Sequence, residues 1–468
     1  MSMHSKHPEP YPPKTAAQAL VAEMTGLLMN TPSGSNPTPV LRAEVPLMAC
    51  SPLEWLSAQR EVTQYYWSDR ESTFEMAGIG EADVLIPGEK TDTEALFDHI
   101  RRQLSPQYPS LRYYGGFRFH RGPVKGERWR AFKEYRFVVP RVEVVRRADA
   151  YFLACNARAG GPDENARTLE TVKTTLGNVQ FPDTFTTLAV PAILAREDHP
   201  DREGWDRLVH GILDAIARGD LEKVVLARET CFTAEVPLDP VALLLRLSEY
   251  SPVSFRFCFH PADDRAFIGA SPERLYHRNG CYLQSEAIAG TRPRGKTEEQ
   301  DRMFGEELMK TPRLRREQQF VVDMLKSRFE SLCYEVKVEP EPWLLRLSNC
   351  QHLCTRIEGL LKDTFADASL IETLHPTPAT GGTPRDKALR FIESEEPFDR
   401  GIYASPTGWV GYDSAEFCVA IRSGLVLGNT LALYTGAGVL AGSTPQEEWD
   451  EIETKLANFL TVLNIDAG

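Results

Sequence analysis

The chain is short of several features that would have settled its class early. No stretch reaches the roughly 18 consecutive apolar residues of a membrane span, and the N-terminus carries prolines and charges instead of a signal-length apolar run. Positive charge is in the minority: 53 Lys and Arg stand against 66 Asp and Glu, a net charge of -13. That balance excludes a general nucleic-acid surface, and any anion bound here must be held by local groups or a metal. Cysteine is sparse and odd in number, nine scattered residues, which argues against a disulfide scaffold. Cys350 and Cys354 flank His352, but no second cluster follows at zinc-site spacing. A cytoplasmic protein that binds neither membrane nor nucleic acid is the expectation.

What is present is enough for a large core, since 42% of the 468 residues are hydrophobic. Residues 1–36 are rich in Pro, Ser, Thr and Asn and read as a loose N-terminal segment, with room for a short helix over about 16–30. From 37 to about 197, short apolar runs alternate with turns. Phe137–Val139 reads as a strand closed by Pro140, followed by a second run from Val142 to Val145. From 198 onward the pattern changes. Trp205, Leu208, Ile212 and Ile216 fall at helical spacing, 223–228 (KVVLAR) reads as a strand, and a long helix over 298–330 is interrupted at Pro312. Strands over 421–426 and 431–434 flank a Gly428-Asn429 turn, and a final helix runs from about Pro445 to Leu463. Strands and helices do not alternate steadily enough for a parallel α/β sheet, so the fold class is α+β.

The final helix holds Glu448, Glu451 and Lys455 on one face. Carboxylates placed together stay ionised cheaply only beside a cation or in water, so a solvated face and a metal site both remain open. Glu317, after Arg315-Arg316 in the long helix, is either a surface ion-pair residue or a third oxygen ligand. Lys223 opens a strand. At an edge its amine would sit in water, whereas in a closed cavity it becomes a candidate base for water. Glu273 follows Gly269-Ala270-Ser271-Pro272 and is either a surface-turn residue or, in an apolar pocket, an acid able to protonate a leaving hydroxyl.

Two glycine-bearing motifs suggest anion sites. Residues 290–297, GTRPRGKT, match the P-loop spacing letter for letter. A nucleotide loop, a charged turn and a carboxylate-binding turn are the competing readings. Gly436-Ala437-Gly438 with Ala441 fits a loose dinucleotide pattern, but too little chain follows for that domain, and an ordinary tight turn competes. His352 is a structural histidine or a donor to a substrate oxygen.

These residues lie in segments that resemble the chorismate-utilising enzymes, the isochorismate synthases most nearly. The resemblance covers roughly 200–464. It rests on KVVLAR (223–228), GASPERL (269–275), AIAGTRPRG (287–295), EQQFVVD (317–323), QHL (351–353), HPTPATGG (375–382), SAEFCVAIRSG (414–424) and YTGAGVLAGSTPQEEWDEIETK (434–455). It implies large mixed, mostly antiparallel sheets packed face to face with helices outside. Residues 37–197 would be the variable N-terminal portion and 198–468 the chorismate-binding catalytic portion. It also implies that GTRPRGKT belongs to a chorismate site, not a nucleotide loop.

The resemblance further implies roles. Lys223 would activate water for attack at ring carbon 2, and Glu273 would protonate the hydroxyl leaving carbon 4. Glu317 and Glu451 would surround Mg2+, with Glu448 acting through an ordered water. Gly290, Thr291, His352, Ala379, Thr380, Arg422, Tyr434, Gly436 and Lys455 would bind the substrate. Related ammonia-using synthases commonly carry Gln where Lys223 stands, so water is the expected nucleophile and no amidotransferase subunit is expected. Salicylate synthase, which goes on to eliminate pyruvate, is the alternative enzyme; a chorismate-binding regulatory protein is the alternative without catalysis. Menaquinone synthesis is favoured over the siderophore branch, and monomer and homodimer fit equally. The chain departs from the family pattern at Gln318, where His is common, at Ile452, where Thr is common, and at Thr380, where an aliphatic residue is usual.

Overall fold

The computed structural model describes residues 9–31, 39–88, 92–120, 127–182, 189–262, 264–363 and 367–465. Among the described residues, twenty strands form one hydrogen-bonded sheet network, and every ladder between them is antiparallel. The mixed character expected of the sheets is reduced, among the described residues, to an isolated parallel bridge between Tyr11 and Leu47. Helices lie outside, so the α+β reading holds.

The N-terminal and C-terminal portions are not separate bodies. Strand Gln64–Ser68 pairs with Phe255–Ala262, and Arg112–Phe117 pairs with Pro406–Gly411. Ile193–His199 pairs with Lys223–Ala234, so a boundary at residue 197 falls inside a strand. Aromatic side chains from both portions fill the interior: Trp67 packs against Phe255 and Phe257, and Phe137 against Phe417.

The short helix expected over about 16–30 is present and begins slightly earlier. Pro13–Asn30 is a helix whose Ala16, Leu20, Met24 and Leu28 recur every fourth residue and are buried against strand Val40–Leu47 and helix Pro162–Asn178. Residues 1–8 and 32–36 of that segment lie outside the described residues. One expectation needs correction: Pro140 does not close a strand, since Tyr135–Arg147 runs straight through it. Pro140 stands opposite Glu81, beside a register shift between Glu81 and Asp83, where a missing N–H is tolerated.

The elements that build the site follow sequence logic more closely. The long helix is interrupted where expected: Glu298–Lys310 ends at Thr311, and Pro312–Leu332 begins with proline in its first turn. The final helix, Pro445–Val462, is capped by Thr444, whose hydroxyl accepts from Glu447 N at 3.3 Å. Ile452, Leu456 and Phe459 bury one face. No helix of the described residues is long and apolar enough to cross a membrane.

Candidate active site

Lys223 sits at the start of a strand flanked on both sides. On one side Thr383 and Gly382 pair with Lys223 and Val224; on the other, strand Thr430–Leu440 runs antiparallel. Gly436 and Gly438 therefore lie inside a strand, not in the tight turn the sequence suggested. Their smallness has a packing reason. A Cβ on Gly438 would come 2.7 Å from Lys223 Cε, and one on Gly436 would meet the Tyr403 hydroxyl at 3.0 Å. Without those side chains, the lysine crosses the strand into a cavity, where its Nζ donates to Glu317 Oε1 at 3.1 Å. Lys223 is only 3% exposed, so the edge-lysine alternative is excluded.

Glu273 occupies the two-residue link between strands Arg265–Ser271 and Arg274–Asn279. Its N–H donates to Ser271 Oγ at 3.2 Å, and its carbonyl accepts from Val419 N at 3.0 Å. The carboxyl group is buried. Burial pushes it up to about 8 against the opposing pull of the Lys223 and Lys455 ammonium groups. At neutral pH it is predominantly a proton donor.

A bulge shapes the third wall. Strand Tyr282–Pro293 shifts register between Ala289 and Thr291 against strand Cys350–Leu361, and Gly290 adopts φ +68°. The extra residue places Thr291 opposite His352, with Thr291 Oγ1 and His352 Nδ1 3.2 Å apart. His352 Nδ1 also lies 3.1 Å from the Gly290 carbonyl, and Nε2 lies 3.3 Å from Cys350 Sγ. Both ring nitrogens thus have protein partners. The GTRPRGKT loop beyond is not a phosphate cradle. Asp301 of the following helix accepts from Arg294 Nε at 2.7 Å and from Gly295 N at 3.0 Å, so the chain's own carboxylate occupies the anion position.

Arg422 and Lys455 close the cavity from the side of the final helix. Arg422 holds a left-handed backbone (φ +52°), an uncommon conformation for a side chain of this size. Its Nη1 donates to the Lys455 carbonyl at 3.4 Å. Lys455 Nζ reaches Gly436 O at 2.8 Å and Glu451 Oε1 at 2.6 Å. Burial opposes the charge on Glu451, but Lys455 ahead of His352 and Lys223 holds its carboxylate below the usual range. Thr380 and Ala379 line the opposite side. The buried Arg400 fixes that segment by donating to Thr380 O at 2.9 Å and Val225 O at 2.8 Å.

One cavity of about 760 Å³ brings together Lys223, Glu273, Gly290, Thr291, Glu317, His352, Ala379, Thr380, Arg422, Gly436, Glu451 and Lys455. Two expected residues are not among its walls. Tyr434 is buried behind it, with its hydroxyl donating to Glu229 Oε1 at 2.8 Å. The aromatic side chain on the cavity is Tyr403, stacked on Tyr434 at 5.6 Å between ring centres. Sequence reasoning missed Tyr403 because it sits in a turn ahead of strand Pro406–Gly411, with no motif to mark it. Glu448 lies in the adjoining cavity of about 950 Å³, which shares Glu317, Glu451, Gly438 and Thr291 with the first.

Glu317, Glu448 and Glu451 therefore gather at the junction of two cavities. Burial and the Glu451 charge push the Glu448 carboxyl up to about 7, and Arg313 Nη2, 3.4 Å away, only partly offsets them. Glu448 is buried and Glu317 and Glu451 are half-buried; each already faces a cation, Arg313, Lys223 and Lys455 respectively, and together they offer hard oxygen ligands from two helices of the kind a magnesium ion takes. The ligand atoms that already lie within 4.8 Å of one another are instead those of His199, Glu229 and Cys231. That group has softer donors, and its Glu229 is engaged by Tyr434 and Arg128.

Comparison with known proteins adds an independent line. Residues 28–464 match the family of chorismate binding enzymes. Isochorismate synthase MenF of Bacillus subtilis is 33% identical over 417 residues, 86% of this chain and 88% of that protein. Isochorismate synthase MenF of Escherichia coli is 31% identical over 458 residues, 96% of this chain and 100% of that protein. The solved structure of the menaquinone-specific isochorismate synthase from Escherichia coli superposes with TM-score 0.84 at 28% identity, covering 96% of this chain and 99% of that one. Anthranilate synthase component I from Streptococcus pneumoniae shares the fold, with TM-score 0.65 at 17% identity.

Proposed function

The chain belongs to the chorismate-binding enzymes, and from that premise we propose that it is a magnesium-dependent isochorismate synthase serving menaquinone synthesis. The observation that carries the chemistry is one cavity holding a buried lysine and a buried glutamic acid, whose carboxyl group burial pushes up to about 8. Lys223 removes a proton from water, which adds to ring carbon 2 of chorismate. Glu273 gives its proton to the hydroxyl leaving carbon 4 as the ring double bonds shift. Lys223 is set by its strand and Glu273 by a two-residue link between strands, so both enter the cavity from the sheet.

Glu317, Glu448 and Glu451 would hold the magnesium. When bound, the ion supplies positive charge opposite the carboxylates of enzyme and substrate. Arg422, Lys455, Thr291, Thr380 and the backbone at Gly290 and Gly436 bind and orient the ring compound. Tyr403 replaces Tyr434 in that group. His352 acts through its contacts with Thr291 and Gly290, since both of its nitrogens are engaged. Lys223 in place of glutamine favours water over ammonia, so the enzyme works without an amidotransferase subunit. All nine cysteines are free, which supports a reducing compartment and hence the cytoplasm.

The test is a product assay. Chorismate and magnesium are incubated with the full chain, and isochorismate, salicylate and anthranilate are separated. Isochorismate without pyruvate is the expected result. Salicylate with pyruvate identifies the alternative enzyme, and unchanged chorismate rejects the catalytic reading.

A further inference from the structure

Cys350 lies one layer behind the cavity on strand Cys350–Leu361 and is 1% exposed. Its sulfur has two polar neighbours, and both line the cavity: His352 Nε2 at 3.3 Å and Arg422 Nη2 at 3.4 Å. The guanidinium can only donate. On the other side of the imidazole, Nδ1 has partners of its own, the Gly290 carbonyl at 3.1 Å and the Thr291 hydroxyl at 3.2 Å. The remaining question is the proton between Nε2 and sulfur. A guanidinium aimed at the sulfur favours the arrangement with that proton on nitrogen.

We propose that Cys350 is a positioning residue of the substrate cavity: a buried thiolate that accepts from His352 Nε2 and Arg422 Nη2 together and fixes both side chains at the cavity wall. It does not touch the substrate. With Arg422 Nη2 anchored on the sulfur and Nη1 on the Lys455 carbonyl, the guanidinium is held in place and its remaining N–H groups can face an anion. The arrangement also gives a polar role to a cysteine set among apolar neighbours. The strands packed on it present Ile288 and Leu345, which carry no charge. The charged groups near the sulfur are His352 from its own strand, Arg422 from the link before strand Ser423–Leu427, and, behind these, Glu451 and Lys455 from the final helix. Burial opposes the thiolate, but His352 and Arg422 together bring the group down to about 6.

The inference rests on the chorismate reading only for its kinetic arm. The first measurement does not use substrate: the ultraviolet thiolate absorbance of the wild-type protein is titrated against that of Cys350→Ser. The expected difference is one thiolate at neutral pH, lost as pH falls through about 6. The absence of a difference overturns the proposal even if the protein turns over chorismate. The second measurement compares Cys350→Ala with wild type. Freeing Arg422 should raise KM for chorismate by about tenfold with kcat changed much less, as expected for a lost positioning bond. An unchanged KM, or equal losses in kcat at unchanged KM, overturns the positioning role. If the alanine variant fails to fold, Cys350→Ser serves for both measurements. Failure of the wild type to consume chorismate would instead reject the proposed function and leave the absorbance result standing.

Discussion

Lys223 Nζ lies 3.1 Å from Glu317 Oε1, so the proposed base and one proposed metal ligand are hydrogen-bond partners in the same cavity. A base must present its lone pair to water, and that requires Glu317 to engage another cation. Lys223→Gln keeps a donor for Glu317 but removes the base. Its kcat for isochorismate formation should fall by about 10²–10⁴-fold, the usual contribution of general base catalysis. Steady-state kinetics measure this, and turnover near the wild-type rate would reject the role.

Glu273 carries two linked predictions. As the acid it must be protonated, so isochorismate formation should decline as pH rises through about 8, the value to which burial lifts it. Its carboxyl group is raised from 4.5, so the stability it contributes is complete below about 4.5 and lost as pH rises through about 8. Glu273→Gln should therefore abolish most turnover while losing less stability than wild type between pH 6 and 9 by a few kcal/mol, read from denaturant midpoints. A variant as sensitive to alkali as wild type would reject the buried-acid assignment.

Magnesium should stabilise the protein without substrate. Ion that binds only the folded state adds about 2.7 kcal/mol at one hundred times its dissociation constant. A thermal scan with and without chelator should show a higher Tm with magnesium in wild type. Glu451→Gln should show little of that rise. Equal shifts in wild type and variant would place the ion elsewhere, for instance at His199, Glu229 and Cys231.

Tyr434 should matter for stability rather than binding. Its hydroxyl donates to the buried Glu229 at 2.8 Å, away from the cavity. Tyr434→Phe should cost about 1–3 kcal/mol of stability, the penalty of a buried partner left short, with KM little changed. Tyr403→Phe, at the cavity wall, should raise KM. The opposite pattern would return Tyr434 to the substrate group.

Much of this was readable along the chain where the signal was local. The Pro312 break, the helix start at Pro445 and the Gly428-Asn429 turn follow from the restricted dihedral angles of proline and the freedom of glycine. Glu448, Glu451 and Lys455 share a helix face because three and four residues make about one turn. Pro140 misled because a proline ends a strand only when its missing N–H faces a partner, and the partner's register is not local. Spacing alone could not choose among the competing readings of GTRPRGKT. Asp301, six residues past Gly295, folds back onto the donors that a phosphate would need.

The sequence by itself determined which residue types were available, the helices and strands that carry them, and the family to which they point. Only the tertiary structure decided which of them meet. Lys223 and Glu273 are 50 residues apart in number and share a cavity because antiparallel pairing folds their strands together. Tyr403 came to the cavity and Tyr434 behind it, and Cys350 came between His352 and Arg422. Such contacts depend on register and packing across the whole sheet, and no window of neighbouring residues encodes them.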